Sequence, residues 1–140
     1  MDFMDSPTWV SFHGIVPTNQ KIFNHILDVA MSSLPSRYVT KPETVRVTQD
    51  AHLYALMHRP GLAPDELKQL ASGMTVTWNH RTFAVWLCSE NAYSTMAHEI
   101  VHILIMPARK YAKNPHGFMF RRCLRKLHKA LNWDKPTLYG

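Results

Sequence analysis

Apolar side chains recur at a helical spacing early in the chain. Between residues 19 and 33 the apolar positions include Ile22, Phe23, Ile26, Leu27, Ala30 and Met31. Residues three and four positions apart share one face of a helix, so the pattern predicts a helix over 19–33. Thr18 is the expected N-cap, because its hydroxyl can accept a hydrogen bond from a free N–H of the first turn. Residues 1–17 are expected to form an irregular lead-in.

Alternating and β-branched residues predict strands in the middle of the chain. Residues 44–48, Thr-Val-Arg-Val-Thr, have the two-residue period of a half-buried strand. The runs 75–78 and 81–87 flank a short polar turn and predict a hairpin. The stretch 53–57 fits a strand and a helical turn equally well.

Start and stop signals predict three further helices. A short helix over 64–71 opens with a proline and two acids, which favour the first turn of a helix. A long, apolar helix is expected over 90–106, with Ser89 as its N-cap and Pro107 as its end. A polar, basic loop over 108–115, a last helix over 116–132 and an irregular tail over 133–140 complete the chain.

The order of these elements predicts a single α+β domain over residues 1–140, with a small, mostly antiparallel sheet and helices packed on one side. The composition is that of a globular domain, since 46% of the residues are hydrophobic and 19% are charged. No apolar run reaches the roughly 18 residues of a membrane span, and the acidic N-terminus does not resemble a secretory signal. Cys88 and Cys123 stand far apart, which suits a reducing compartment, so we expect a cytoplasmic protein without a membrane partner.

The long predicted helix carries the motif His-Glu-x-x-His at residues 98–102. On a helix, His98 and His102 lie on one face, where both imidazoles can bind the same zinc ion. Glu99 lies beside them and can hold and deprotonate a water molecule, as in metalloproteases with this motif. The alternative is a buried helix whose histidines form hydrogen bonds with neighbouring carbonyl oxygens.

A catalytic zinc ion generally has three protein ligands and one open position, so one Zn²⁺ per chain would need a further ligand. His116 is the candidate, because Pro107 ends the motif helix and the following loop lets the chain double back. At the start of the last helix the dipole disfavours imidazolium, and zinc needs the neutral ring. Phe120, one turn farther on, is placed to pack under the His116 ring. The alternative is an exposed loop histidine.

No spacing connects the motif with the other histidines, which are His13, His25, His52, His58, His80 and His128. The last of these is expected at the surface.

The positive charge of the chain is concentrated after the motif. The net charge is +6, and no acidic residue lies between Glu99 and Asp134. The residues expected to contact nucleic-acid phosphates are Lys110, Lys113, Arg121, Arg122, Arg125, Lys126 and Lys129, with Arg109 in the same loop. The alternative is a solvated helix face with no partner.

The motif at residues 98–102, followed after a short loop by His-Gly-Phe-Met-Phe at 116–120, resembles the SprT-like family of zinc metallopeptidases. That family includes the eukaryotic Spartan protease, which acts on proteins crosslinked to DNA. The resemblance covers roughly residues 75–130 and implies a zincin-like fold, with His98, His102 and His116 as zinc ligands and Glu99 as the catalytic acid and base. Larger relatives often carry a C-terminal zinc ribbon with four cysteines. The chain lacks such a ribbon and is expected to be a minimal form, as in bacterial and phage relatives.

The function expected from these residues is that of a zinc endopeptidase, with DNA-bound proteins as one class of substrate. Tyr111 is a candidate for stabilising the transition state, and the alternative is an exposed aromatic residue. The strand 81–87 is expected to offer a free edge to an extended substrate, unless it is an interior strand. Glu90 is expected to stabilise the N-terminus of the helix through the helix dipole, rather than to hold a metal ligand in place.

The rival functions are a non-catalytic, zinc-containing nucleic-acid-binding module and a regulatory protein of a phage on the same scaffold.

Overall fold

The computed structural model describes residues 7–51, 54, 73–77, 79–88 and 92–132. Within these ranges the chain has an α+β fold. The elements in chain order are β1 (Val10–His13), α1 (Pro17–Ser33), β2 (Thr44–Thr48), β3 (Gly73–Thr77), β4 (Thr82–Leu87), α2 (Ala92–Ile105), α3 (Arg109–Lys113) and α4 (Phe118–Ala130). The predicted helix over 64–71, the cap at Ser89 with Glu90, and the tail over 133–140 lie outside the described residues.

The four strands form one mixed sheet in the order β1-β2-β4-β3. The pairs β1/β2 and β2/β4 are parallel, and only β3/β4 is antiparallel. The prediction of a mostly antiparallel sheet is therefore wrong for the described strands. One parallel pair involves β1, which lies within the predicted irregular lead-in 1–17, and the other joins the predicted strands β2 and β4. Because α1 connects β1 to β2 as a crossover, the two strands run in the same direction.

The start of α1 also differs from the prediction. The helix begins at Pro17, and Val16 stands at the N-cap without a side-chain hydrogen bond. Thr18 is therefore inside the helix and is not its cap. Proline favours the first helical position, because its fixed φ suits the helix and the N–H that it lacks would have no partner there.

The hairpin and the two long helices of the C-terminal half are confirmed. Strands β3 and β4 pair in the register Thr75↔Val85, and α2 carries the whole motif at residues 98–102. The loop predicted over 108–115 instead contains α3, a single short helix. Its sequence, Arg-Lys-Tyr-Ala-Lys, consists mainly of good helix formers, which explains why the chain takes up a helical turn there.

The core lies between one face of the sheet and the helices α1, α2 and α4. Alternate residues of β4 (Phe83, Val85 and Leu87) belong to this main cluster. The intervening residues Ala84 and Trp86 form a second cluster with Ala51 and Tyr54 on the opposite face. The backbone N–H of Tyr54 donates to the carbonyl oxygen of Asp50, as in a helical turn. The rest of the stretch 53–57, for which a strand and a helical turn were both expected to fit, lies outside the described residues.

No helix within the described ranges has both the length and the apolar content that are needed to cross a membrane.

Candidate metal centre

The two histidines of the motif lie side by side on the buried face of α2. His98 and His102 are 6% and 7% exposed, and their Nε2 atoms are 3.1 Å apart. The intervening residues Ile100 and Val101 are fully buried in the core, which fixes the helix against the sheet and against α4. The motif therefore presents two imidazole nitrogens at a single point, as its spacing predicts.

His116 reaches the same point from the other side of the site. It lies two residues before the start of α4, and its Nε2 is 3.0 Å from Nε2 of His102 and 3.2 Å from Nε2 of His98. The turn that places it is closed by a hydrogen bond from the N–H of Gly117 to the carbonyl of Asn114. A Cβ at Gly117 would lie 2.9 Å from the Asn114 side chain, so a larger residue in this tight turn would force that side chain to move. The side chain of His116 is exposed, whereas the other two are buried.

The three nitrogens have the arrangement of a metal-binding site. A tetrahedral zinc ion with Zn–N bonds of about 2.0–2.1 Å separates its nitrogen ligands by about 3.3 Å, close to the observed separations of 3.0–3.2 Å. Among the described residues, the group that could hold a metal ion consists of His98, His102 and His116. The other described histidines lie elsewhere. These are His13, His25, His80 and His128, whereas His52 and His58 are outside the described ranges.

Burial keeps these imidazoles neutral. Desolvation, and next the nearby His116, lowers the pKa of His98 to about 4. Desolvation, and next the two neighbouring histidines, lowers the pKa of His102 to about 2. The pKa of His116 is lowered by its partial burial. At neutral pH each ring therefore keeps a lone pair that is able to bind a cation.

Tyr111 contacts the His102 imidazole at Nδ1, the nitrogen that does not face the other two histidines. Its hydroxyl oxygen lies 2.7 Å from Nδ1 of His102, and the side chain is buried in α3. Burial, and next the charge of Glu99, raises the pKa of Tyr111 to about 12, so the hydroxyl keeps its proton. When Nδ1–H of His102 donates to this oxygen, Nε2 is left with the lone pair that faces the other two histidines. The alternative of an exposed aromatic residue is wrong, and a role in stabilising the transition state stays a prediction.

Phe120 forms the floor of the cluster. Its ring stacks on His102 with a centroid separation of 4.4 Å, and it meets His98 and His116 edge-on at 4.8 and 5.1 Å. The predicted packing of Phe120 against His116 is confirmed. An aromatic ring in contact with all three imidazoles restricts their rotation and excludes water from beneath them.

Glu99 lies beside the histidines and is itself buried. Its exposure is 5%, and Thr75 of β3 donates a hydrogen bond of 2.7 Å to Oε1. Burial raises the pKa of Glu99 to about 7, although the hydrogen bond from Thr75 acts in the opposite direction. A nearby divalent cation would favour the ionised carboxylate.

A pocket of about 200 Å³ opens onto these groups. It is lined by residues 73–75 of β3 and by the three histidines, Glu99, Met106 and Tyr111. Strand β3 is at the edge of the sheet formed by the described strands, whereas β4 is paired on both sides. The prediction that strand 81–87 offers the free edge is therefore wrong. Sequence alone could not distinguish the two strands, because the order of strands in the sheet is a tertiary property.

The basic residues of α4 form an exposed surface. Met119, Cys123, Leu124 and Leu127 belong to the core, and the opposite face carries charge. The exposed basic residues of α4 are Arg121, Arg122, Arg125, Lys126 and Lys129, and Lys113 is exposed at the end of α3. The side chains of Arg109 and Lys110 lie outside the described part of the structure. His128 was expected at the surface, but it is 4% exposed, because it lies on the buried face.

The fold and the site together define an α+β protein with three histidines that could hold a metal ion beside a buried carboxylate. Comparisons with protein-family models, with curated proteins and with solved structures find no match.

Proposed function

We propose that the protein is a zinc-dependent endopeptidase of the SprT-like, zincin-like kind. The observation that carries the proposal is the convergence of three neutral imidazole nitrogens beside the buried carboxylate of Glu99, in a pocket that opens along an edge strand. Three imidazole ligands suit zinc, which takes nitrogen donors in a tetrahedral arrangement and keeps a fourth position open in catalytic sites. A bound zinc ion would polarise a peptide carbonyl and activate a water molecule.

Each residue of the site then has a distinct role. His98, His102 and His116 hold the metal, and Tyr111 fixes the ring orientation of His102. The Glu99 carboxylate accepts a proton from the attacking water and passes it to the nitrogen of the leaving amine. A bound zinc ion would favour the ionised carboxylate of Glu99, which is the form that accepts a proton from the water molecule.

Among the described strands, β3 lies at an edge of the sheet, and this position supports a polypeptide substrate. An extended peptide can add to a free strand edge through main-chain hydrogen bonds, and residues 73–75 of β3 line the pocket. A peptide held there would have its backbone next to Glu99 and the three histidines. This arrangement favours cleavage within a chain over hydrolysis of a small molecule.

The rival function is a non-catalytic protein in which zinc has only a structural role. Structural zinc sites are generally closed by a fourth protein ligand. In the described part of the chain, no fourth histidine, cysteine, aspartate or glutamate belongs to the group that could hold a metal. The open pocket and the buried Glu99 favour the enzyme over a structural or regulatory zinc protein.

The exposed basic face of α4 leads to a proposal about the substrate. Its arginines and lysines follow His116 directly along the chain, and such a face can contact phosphates without reading bases. We propose that it brings the protease to DNA-bound proteins. Binding through phosphates would be tolerant of sequence and sensitive to salt.

The test combines metal analysis with a single substitution. The wild-type protein should bind about one zinc ion per chain and should cleave a basic DNA-binding protein mixed with single- or double-stranded DNA. Glu99→Gln should keep the metal and lose cleavage. Glu43→Gln, at an exposed glutamate outside the pocket, is the matched control and should retain activity. Equal activity of Glu99→Gln, or folded wild-type protein that binds no metal, would refute the protease.

A further inference from the structure

A hydrogen bond connects the edge strand with the carboxylate of the motif. The hydroxyl of Thr75 donates to Oε1 of Glu99 over 2.7 Å, across 24 positions in sequence. Because Thr75 stands opposite Val85 in the antiparallel register, its side chain lies on the face of the sheet that packs against the helices. Among the described residues, Thr75 is the side chain seen to hold the buried carboxylate of Glu99.

At Gly73, two residues before Thr75, the backbone of β3 lies close to α2. A Cβ at Gly73 would overlap the methyl group of Thr95 and would lie 3.3 Å from Cγ of Glu99. The strand therefore rests directly on the helix at a position where only glycine fits. This contact fixes the distance between strand and helix, and so it fixes the reach of the Thr75 hydroxyl to Glu99.

We propose that Thr75 is a positioning residue for the hydrolytic reaction. By occupying Oε1, it holds the Glu99 carboxylate in one orientation and leaves Oε2 for the attacking water. This inference rests on the proposed function, and it assigns to the edge strand a role in the chemistry as well as in substrate binding. A glutamate side chain has three rotatable bonds, and misplacement of a reacting group by about 1 Å can reduce a rate by about a hundredfold.

The role of the hydroxyl can be separated from that of the methyl group. Thr75→Val keeps the shape of the side chain and removes the donor, whereas Thr75→Ser keeps the donor. Thr77→Val is the matched control, because Thr77 lies on the same strand and its hydroxyl bonds within the hairpin, donating to the carbonyl of Thr82 and accepting from the N–H of His80, rather than donating to Glu99. Thr75→Ala is a second variant without the donor, should the valine variant fail to fold.

We expect Thr75→Val to lower kcat about tenfold, with KM changed by less than about twofold and the zinc content unchanged. Thr75→Ser should retain most of the wild-type kcat, and Thr77→Val should behave like the wild type. A purely structural role of Thr75 would lower the activities of the serine and valine variants together, or would change KM and stability instead. An unchanged kcat in Thr75→Val, or equal losses in the serine and valine variants, would overturn the proposal.

Crystal structures of the zinc-loaded wild type and of Thr75→Val give a measurement that does not depend on activity. Glu99 should have a single conformation in the wild type and should be displaced or split in the variant. The same Glu99 conformation in both would overturn the positioning role, even if no peptide were cleaved. If Glu99 is displaced in Thr75→Val but the wild type cleaves no peptide, the positioning of Glu99 by Thr75 is supported. Only the proposed peptidase function is then refuted.

Discussion

The hydroxyl of Tyr111 lies 2.7 Å from Nδ1 of His102, on the side of the imidazole that faces away from the other two histidines. When Nδ1–H of His102 donates to this oxygen, Nε2 keeps the lone pair that faces the other two imidazoles. This contact makes Tyr111 part of the candidate metal centre, although its oxygen contacts the His102 imidazole and not the position where the three Nε2 atoms meet. Hydrogen bonds of this kind fix the ring orientation and the tautomer of a metal ligand.

Tyr111→Phe should therefore weaken zinc binding about tenfold, because it removes the partner of Nδ1 and keeps the ring. Competition with a chromogenic chelator measures the affinity. Tyr93→Phe is the matched control, since Tyr93 is 50% exposed on α2. An unchanged affinity together with a lower kcat would instead support the predicted role of Tyr111 in stabilising the transition state.

His116 should be required for tight metal binding. His116→Ala leaves two of the three nitrogens, and we expect the zinc affinity to fall by about a hundredfold or more. Zinc should raise the melting temperature of the wild type, because a ligand that binds only the folded state stabilises it, and it should have little effect on the variant. His25→Ala, at an exposed position of α1, should behave like the wild type. A full zinc response in His116→Ala would show that another residue supplies the third ligand.

The contact between β3 and α2 should depend on the absence of a side chain at Gly73. Gly73→Ala should reduce the free energy of unfolding by about 1–3 kcal/mol, because the added Cβ overlaps the Thr95 methyl group. It should also lower activity by moving Thr75 away from Glu99. Denaturant unfolding and peptidase assays measure the two effects. Thr95→Ser removes that methyl group and keeps the hydroxyl, so adding it to Gly73→Ala should restore part of both losses. A double variant no better than Gly73→Ala would argue against this contact.

The basic face of α4 should bind DNA through its charge. Replacing Arg122, Lys126 and Lys129 with glutamine should weaken DNA binding and reduce the slope of log K against log salt by about 0.9 for each phosphate that the variant no longer neutralises. Replacing Lys21, Arg37 and Lys41 with glutamine removes three exposed charges from other parts of the chain and is the matched control. Fluorescence anisotropy over a salt series measures both quantities. An affinity that does not change with salt would contradict binding through phosphates.

The helices and strands that the sequence predicts correctly are those with a clear local pattern of buried and exposed residues. The period of apolar residues predicted α1, and alternation predicted β2 and the hairpin, since these patterns reflect which face of an element is buried. β1 was missed because its four residues, Val-Ser-Phe-His, are too short for a periodic signal to stand out. With β1 missed, the parallel pairing that α1 creates could not be derived.

The sequence by itself determined the pair His98 and His102, because four residues along a helix bring two side chains onto one face whatever surrounds the helix. It also indicated His116, through the helix break and the second helix start. Only the tertiary structure decided that β3 borders the pocket, that Thr75 contacts Glu99 and that Tyr111 contacts His102. These contacts depend on the order of strands and on how closely strand and helix approach. Packing between segments that are distant in sequence sets the strand order and the distance between strand and helix. No local sequence pattern encodes either of these properties.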